Sequence, residues 1–364
     1  MNLVVKVGSS SVTDENFQIS DAILDSICDQ ILEVRAAGHR VALVTSGAIA
    51  LGLGRLGIRG ERPVDMVLLQ AASALGQVEL IATYSAKLGN RGIRAGQILL
   101  SASDFMERRQ YLSAKSTITR LLDLGIVPII NENDAVADDE IRLGDNDRIA
   151  ALVAGLVGAD ILVLLTDQDG LFTADPRRFD DASLIEQVEE VTRELATLAG
   201  GKGTSRGSGG MTTKVMAARI AAWSGVETLI AAAASPISIT AAPKRVAGVG
   251  TWIARSQRRL PARKLWIAFA LPSGGYVKID AGAKNAICRR GSSLLAVGIN
   301  EVGGSFSAED AIEVRGPDGA VVAKGLSRLS SQELEAERSK KPQGSQGAFS
   351  SLVMHRDDMI LLSD

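Results

Sequence analysis

A chain of 364 residues is longer than most single domains, and a composition 46% hydrophobic and 23% charged describes a globular protein able to bury a large core. A net charge of -2 removes the electrostatic case for nucleic acid or an anionic membrane as the main partner. Aromatic residues are only 4% of the chain, so Ala, Val, Ile, Leu and Gly must build the core.

The N-terminal residues enter LVVKVG directly, with no basic segment or cleavage site ahead of them. The longest apolar stretch, Leu152 to Leu165, is short for a membrane span and carries Asp160. Cys28 and Cys288 lie too far apart in sequence to imply a disulfide framework. A cytoplasmic protein with no membrane partner is expected.

Leu3 to Gly8 reads as a buried parallel strand interrupted by Lys6. A buried lysine is costly unless paired, so Lys6 is expected near the strand's end, facing an anion. An edge-strand lysine facing water is the alternative. The turn Gly8-Ser9-Ser10-Ser11 is small enough to bring amides close to a phosphate, a weak signal alone. Ser20 then caps a helix with Ile23, Ile27 and Ile31 on one face beside Leu24, Cys28 and Leu32, and Gly38 ends it. A second strand, Val41 to Val44, closes in Thr45-Ser46-Gly47. Strand, amphipathic helix and strand make a βαβ unit, hence a parallel sheet. Ser46 and Gly47 would open the next helix at the sheet's ligand edge.

Gly52-Leu53-Gly54-Arg55-Leu56-Gly57 matches the G-x-G-x-x-G dinucleotide pattern. It stands several residues beyond the strand, after a helical turn, and no second strand ending in an acid follows at the required distance. The match is rejected. Helix from about Val64 to Leu88, strand from Ile93 to Leu100 and helix from about Glu107 to Leu124 come next.

The organising stretch is Gly125 to Asp147, GIVPIINENDAVADDEIRLGDND. Its apolar run ends abruptly in Asn131, Glu132, Asn133 and Asp134. After an excursion the chain returns with Asp145, Asn146 and Asp147 at the mouth of a new helix. Any one of these residues is an ordinary turn or cap former. Two acid-and-amide clusters flanking one excursion, at a strand's carboxyl end, are where an open α/β sheet holds its ligand.

Ile149 to Val157 reads as helix, and Ile161 to Leu165 as a strand ending in Thr166-Asp167-Gln168-Asp169-Gly170, a turn or a nucleotide contact. Gly200 to Lys214, GGKGTSRGSGGMTTK, feeds a glycine-rich loop into a helix from Met211 to Trp223, a ready anion site rather than a linker. It is not a Walker A loop, because its spacing is wrong. Lys214 sits in that helix's first turn against the macrodipole, a conflict that bound phosphate would relieve.

Val226 to Ala231 and Gly250 to Ala254 close the first domain, and Arg255 to Lys264, RSQRRLPARK, has the look of a linker. Beyond it Trp266 to Phe269, Gly275 to Ile279, Ser292 to Val297 and Ala311 to Val314 read as short strands of a small β-rich domain. Ser330 to Gly347 is polar, read as a helix and a loop.

His39 and His355 are the only histidines, so there is no Cys/His zinc spacing and no Ser–His–Asp arrangement. Two lysines, a glycine-rich helix start and a patch of aspartates and amides suit phosphoryl transfer, which needs positioning and charge neutralisation more than a protein nucleophile. Mg²⁺ would arrive with the nucleotide, held by phosphate and water.

Taken together, VVKVGSS, VTSGAIA, NENDAVA, GDND, TDQDGLFTADPR, SGGMTTK, GGYVKIDAGAKNAI, RRGSSLL and HRDDMI resemble the glutamate 5-kinases of the amino acid kinase family, with a C-terminal PUA domain. The resemblance covers nearly the whole chain. It implies an α/β fold, a three-layer α/β/α sandwich with a mainly parallel central sheet over residues 1–256, and a small β-rich PUA-like domain over 265–364. It implies ATP-dependent phosphorylation of the L-glutamate γ-carboxylate, giving glutamyl 5-phosphate, the first step of proline synthesis. Lys6 and Lys214 would neutralise the transferring phosphoryl group and Asp147 would orient them. Ser46, Asp134 and Asn146 would bind glutamate. Lys6, Thr166, Asp167 and the loop Ser208, Gly209, Gly210, Met211, Thr212, Thr213 and Lys214 would bind ATP.

The departures are mild: Ser208 stands where the family often has Thr, and Ser330 to Gly347 matches nothing recognised. Related kinases act on acetylglutamate, aspartate, carbamate or UMP; NENDAVA and the PUA-like tail argue against them. PUA domains elsewhere bind RNA, which the acidic chain and intact kinase motifs disfavour as a primary role. A homo-oligomer, dimer or tetramer, is also expected, with proline as feedback inhibitor and the next enzyme of proline synthesis as a partner.

Overall fold

The computed structural model describes residues 1–14, 16–60, 63–101, 104–105, 107–136, 146–176, 178–179, 181–192, 195, 210–257, 259–269, 271, 273–339 and 351–362. The chain divides into two compact units, Met1–Ala262 and Arg263–Asp364.

In the first unit, β1 (Asn2–Val7), β2 (Arg40–Val44), β3 (Ala95–Leu100), β4 (Val127–Glu132), β5 (Ile161–Thr166), β6 (Gln187–Val188), β7 (Glu227–Ala232) and β8 (Thr251–Ile253) form one sheet in the order β3-β4-β2-β1-β5-β7-β8-β6. From β3 to β7 every pairing is parallel; β8 alone runs antiparallel to its neighbour β7. Its helices are α1 (Ser9–Val12), α2 (Asp21–Ala36), α3 (Ala48–Arg55), α4 (Met66–Gly89), α5 (Arg108–Asp123), α6 (Asn146–Val157) and α7 (Met211–Trp223). The architecture is a mainly parallel sheet with helices, as the βαβ pattern requires.

The period of two along β1 decides which layer each residue serves. Leu3, Val5 and Val7 join one cluster with Leu24, Ile27 and Ile31 of α2 and Leu80, Tyr84 and Leu88 of α4. Val4 and Lys6 therefore face the other way, and Lys6 meets Asp147 of α6 there, the carboxylate that Lys214 of α7 also reaches. The central strand carries a lysine because that layer supplies its anion.

The glycines of the rejected dinucleotide pattern lie within and just after α3, and Gly52 packs against α4. Asp65 caps α4, its carboxylate accepting from the Val67 and Leu68 amides at 3.0 and 3.3 Å.

The second unit has a five-stranded sheet, β11-β9-β12-β13-β15, from β9 (Gly275–Ile279), β11 (Ile299–Gly304), β12 (Ala311–Arg315), β13 (Val321–Leu326) and β15 (Met359–Leu361). A two-stranded sheet pairs β10 (Leu294–Leu295) with β14 (Leu352–Met354). Val277, Ile279, Ile312, Val314, Leu334 and Met354 share its core. Helices α9 (Ala281–Arg290) and α10 (Ser331–Ser339) complete it; residues 340–347 of the polar segment lie outside the described residues.

Two expectations for this region are corrected. Trp266 to Phe269 is not a strand but the end of a helix, α8 (Ala262–Phe269). Leu265, Trp266, Ile267 and Ala268 are all buried, and a short apolar run buried on all sides carries no period that separates strand from helix. Pro261 just ahead of Ala262 was the available helix-start signal. Ser292 to Val297 is a strand only at Leu294–Leu295 before a 3₁₀ turn, Ala296–Gly298. The segment from Arg255 is also less of a free linker than its composition implies. The amides of Ser256 and Leu260 donate to the carbonyls of Ala222 and Trp223 at the end of α7.

Candidate active site

Parallel strands put all their carboxyl ends on one edge, and the candidate residues gather there. Lys6 is the penultimate residue of β1, Ser46 follows β2, Asp134 follows β4, and Thr166 ends β5. Asn146 and Asp147 open α6, while Met211, Thr212, Thr213 and Lys214 open α7 behind Gly210. Ser208 and Gly209 lie outside the described residues, as do 137–145 of the excursion, Asp145 among them.

Three of these side chains meet in the interior. The Lys6 Nζ stands 2.6 Å from Oδ1 of Asp147, and the Lys214 Nζ donates to Oδ2 of the same carboxylate at 3.1 Å. All three are buried, Asp147 completely. Burial by itself would raise the Asp147 pKa, but the ammonium groups of Lys6 and Lys214 outweigh it and hold the carboxyl well below the usual range. The Thr213 hydroxyl lies 3.1 Å from Oδ2 of Asp147 and 2.7 Å from the Gly210 carbonyl, which fixes the first turn of α7 against the carboxylate. Lys6 and Lys214 thus bring two ammonium groups onto one buried carboxylate, and charges held away from water persist only where opposite charge and hydrogen bonds compensate them.

A polar group forms beside β4. The Glu132 amide donates to Oδ1 of Asn146 at 3.1 Å and to Oδ1 of Asn131 at 2.9 Å, tying the strand's end to the start of α6. The Asn131 amide group donates to Oε1 of Gln77 at 2.8 Å, and the Ser73 hydroxyl contacts Oδ2 of Asp134 at 3.4 Å. Ser73 and Gln77 were missed in the sequence. Their signal was a pair of polar residues four apart among the apolar residues of helix α4. Thr45 donates to the Tyr84 hydroxyl at 3.2 Å, and burial pushes that phenol's pKa up, keeping it neutral.

Ser46 is half-buried and leads into Gly47, whose φ of 108° only glycine adopts without strain. Even without that strain, a side chain there would press on Val12, 3.2 Å from the position of its first carbon. The turn thus brings Ser46 to the mouth of α3 at the site's edge. Thr166 donates to the exposed Asp167 at 3.0 Å; this pair shares the edge, with no contact to the lysine–aspartate cluster among the described residues. No three His, Cys, Asp or Glu side chains converge as metal ligands among the described residues.

Residues 1–232 match the amino acid kinase family and residues 275–341 match the PUA domain. Glutamate 5-kinase of Burkholderia multivorans is 44% identical over 368 residues, covering 99% of this chain and 97% of the relative. Glutamate 5-kinase of Burkholderia cenocepacia is 44% identical over 367 residues with the same coverage. Among solved structures, an isopentenyl phosphate kinase is 20% identical with a TM-score of 0.48, spanning 70% of this chain and all of its own. The chain therefore belongs to the amino acid kinase family, in the company of its glutamate 5-kinases, and carries a PUA domain behind the kinase unit.

Proposed function

We propose that the protein transfers the γ-phosphoryl group of ATP to the γ-carboxylate of L-glutamate, giving glutamyl 5-phosphate for proline synthesis. Relatives named glutamate 5-kinase over nearly the full length support the substrate. The observation that carries the chemistry is the buried Lys6–Asp147–Lys214 cluster, which brings two ammonium groups together at the carboxyl edge of the sheet. A phosphoryl group in flight between two oxygens spreads its charge over its equatorial oxygens, and those ammonium groups would neutralise it.

In this reading a carboxylate oxygen of glutamate attacks the γ-phosphorus as the bond to the β-phosphate oxygen breaks, and ADP departs. A carboxylate is already ionised at neutral pH, so no general base has to take a proton. Asp147 is accordingly a positioning residue: pinned between two lysines, it holds both ammonium groups at one point. Gly210 has no side chain to cap the first turn of α7, a place suited to phosphate oxygens. Thr166, Asp167 and the 208–214 loop complete the nucleotide's contacts. A magnesium ion would be held mainly by the triphosphate and water, and would add neutralising charge there. Asp134 takes the glutamate amine, with Ser46 and Asn146 donating to its carboxylates.

The kinase chemistry is assigned to residues 1–262, with a cytoplasmic setting, proline as feedback inhibitor and the next enzyme of proline synthesis as a partner. The test is a coupled ATPase assay with hydroxylamine present to trap acyl phosphate. Glutamate should yield γ-glutamyl hydroxamate in step with ADP; turnover of carbamate, acetylglutamate, aspartate or UMP in its place would overturn the assignment.

A further inference from the structure

One strand of the kinase sheet runs against its neighbour, and its first side chain lands at the ligand edge. β5 and β7 end at that edge, whereas the antiparallel β8 begins there, with Thr251 alongside Ile230 late in β7 and Ile253 alongside Thr228 near its start. Thr251 is completely buried. Its hydroxyl oxygen accepts the backbone amide of Leu171 at 2.8 Å, a bond between residues 80 positions apart. Gly170, just ahead of that amide, has no room for a side chain. A Cβ there would lie 2.6 Å from Oγ1 of Thr251 and 3.0 Å from its amide nitrogen.

The bond closes a clamp on the turn that follows β5. At the turn's start the Thr166 carbonyl accepts from the Ala233 amide at 2.7 Å, just past the end of β7. At its far end the Thr251 oxygen holds the Leu171 amide, and the Leu171 carbonyl accepts from Ile185 at 2.8 Å. Between these fixed points Asp167 and Asp169 are exposed, while Gly170 and Leu171 are buried. Thr251 supplies the acceptor for the Leu171 amide among the described residues. A buried amide without an acceptor is costly, so the turn keeps its place only while that oxygen is present.

We propose that Thr251 is a positioning residue for the nucleotide, setting the Thr166–Gly170 turn against the sheet edge through the Leu171 amide. The proposal rests on the reading of Thr166 and Asp167 as nucleotide contacts. It also divides the two substrates. The strand order puts β4 and β2, which Asp134 and Ser46 follow, on one side of β1, and β5, β7 and β8 on the other. The strand that carries Lys6 stands between, so a disturbance at Thr251 reaches ATP and spares glutamate.

Thr251→Val keeps the shape and removes the acceptor. ATP binding to the full chain, measured by calorimetry with Mg²⁺ and no phosphoryl acceptor, should weaken about tenfold, the scale of one lost buried hydrogen bond. The ATP KM should rise with it, while kcat and the glutamate KM stay near wild type. Thr251→Ser restores the oxygen and should recover the affinity. Gly170→Ala presses a methyl group on the same hydroxyl and should reproduce the loss. Thr228→Val is the control: that buried hydroxyl on β7 has no hydrogen-bond partner among the described residues, and its loss should leave ATP binding unchanged. Hydrogen exchange over Thr166–Leu171 should quicken in the valine variant and slow again in the serine one, with circular dichroism showing each variant folded. Unchanged ATP affinity in folded Thr251→Val, a loss that serine does not recover, or equal losses for ATP and glutamate overturns the proposal. A wild type that binds ATP yet makes no glutamyl hydroxamate overturns the choice of acceptor instead, and calorimetry tells the two failures apart.

Discussion

Gly52 of α3 and Gly76 of α4 meet where the two helices cross, too close for a methyl group on either. A Cβ built on Gly76 would lie 2.5 Å from the Gly52 amide nitrogen and would run into the Ala48 carbonyl, while one on Gly52 would run into the Ala72 carbonyl. The obstacles are backbone atoms of packed helices, which cannot swing aside as a side chain can. Gly52→Ala or Gly76→Ala should therefore cost about 1–3 kcal/mol or more, despite alanine's better helix propensity. Gly89→Ala, at the end of the same helix with open space around it, is the control and should stay near neutral. Urea midpoints with unchanged m-values check this.

Lys6 and Lys214 share one carboxylate, so the loss of either takes one ammonium group from Asp147 and lessens the positive charge offered to the phosphoryl group. Alanine at either position should lower kcat by about a hundredfold or more, the scale of a lost electrostatic stabiliser, with a smaller change in the glutamate KM. A raised KM at unchanged kcat would assign the lysines to ground-state binding.

Asp147 also makes a pH prediction with a definite sign. Its folded pKa lies below the value of about 3.9 of an unfolded aspartate. Its contribution to stability is thus fully present above about pH 4, and fades as pH falls from there toward the folded pKa, because the unfolded chain takes up the proton first. Through that window Asp147 adds a slope of about 1.4 kcal/mol per pH unit. The Asp147→Asn variant should show an acid limb shallower by one proton in urea titrations from pH 5 downward. Parallel limbs for the two proteins would show that Asp147 titrates normally in the fold.

Asp134 follows β4 and meets Ser73 on α4. Asp134→Asn keeps the shape and removes the charge offered to the substrate amine. Glutamate KM should rise at least about tenfold, the cost of a weakened charged hydrogen bond, with the ATP KM nearly unchanged. Ser73→Ala should have a weaker effect in the same direction. Equal losses for both substrates would place Asp134 in the folding of the site.

The parallel sheet followed from the sequence because βαβ connectivity and apolar strand runs leave little choice of topology. Lys6 was legible as a residue that must either face water on an edge strand or meet an anion, because a buried ammonium group is costly unless paired; the sheet order, with β1 between β2 and β5, decided for the anion. The glycine-rich entry to α7 was legible because its composition changes abruptly at a helix start. What the sequence could not decide was pairing across distance. That Lys6 and Lys214 converge on Asp147 depends on the register of β1 against β5 and on the packing of α6 beside α7, contacts between residues 141 and 67 positions apart. Spacing alone excluded Gly52 from a dinucleotide loop, but only the crossing with α4 shows what its missing side chain makes room for. Trp266 was misassigned for a related reason: a residue buried on all sides leaves no period to read. Ser73 and Gln77 looked like minor polar interruptions of an apolar helix until the fold turned them toward Asp134 and Asn131. Local physics fixed the elements and the types of group at the site; the partners each group meets were decided by tertiary packing.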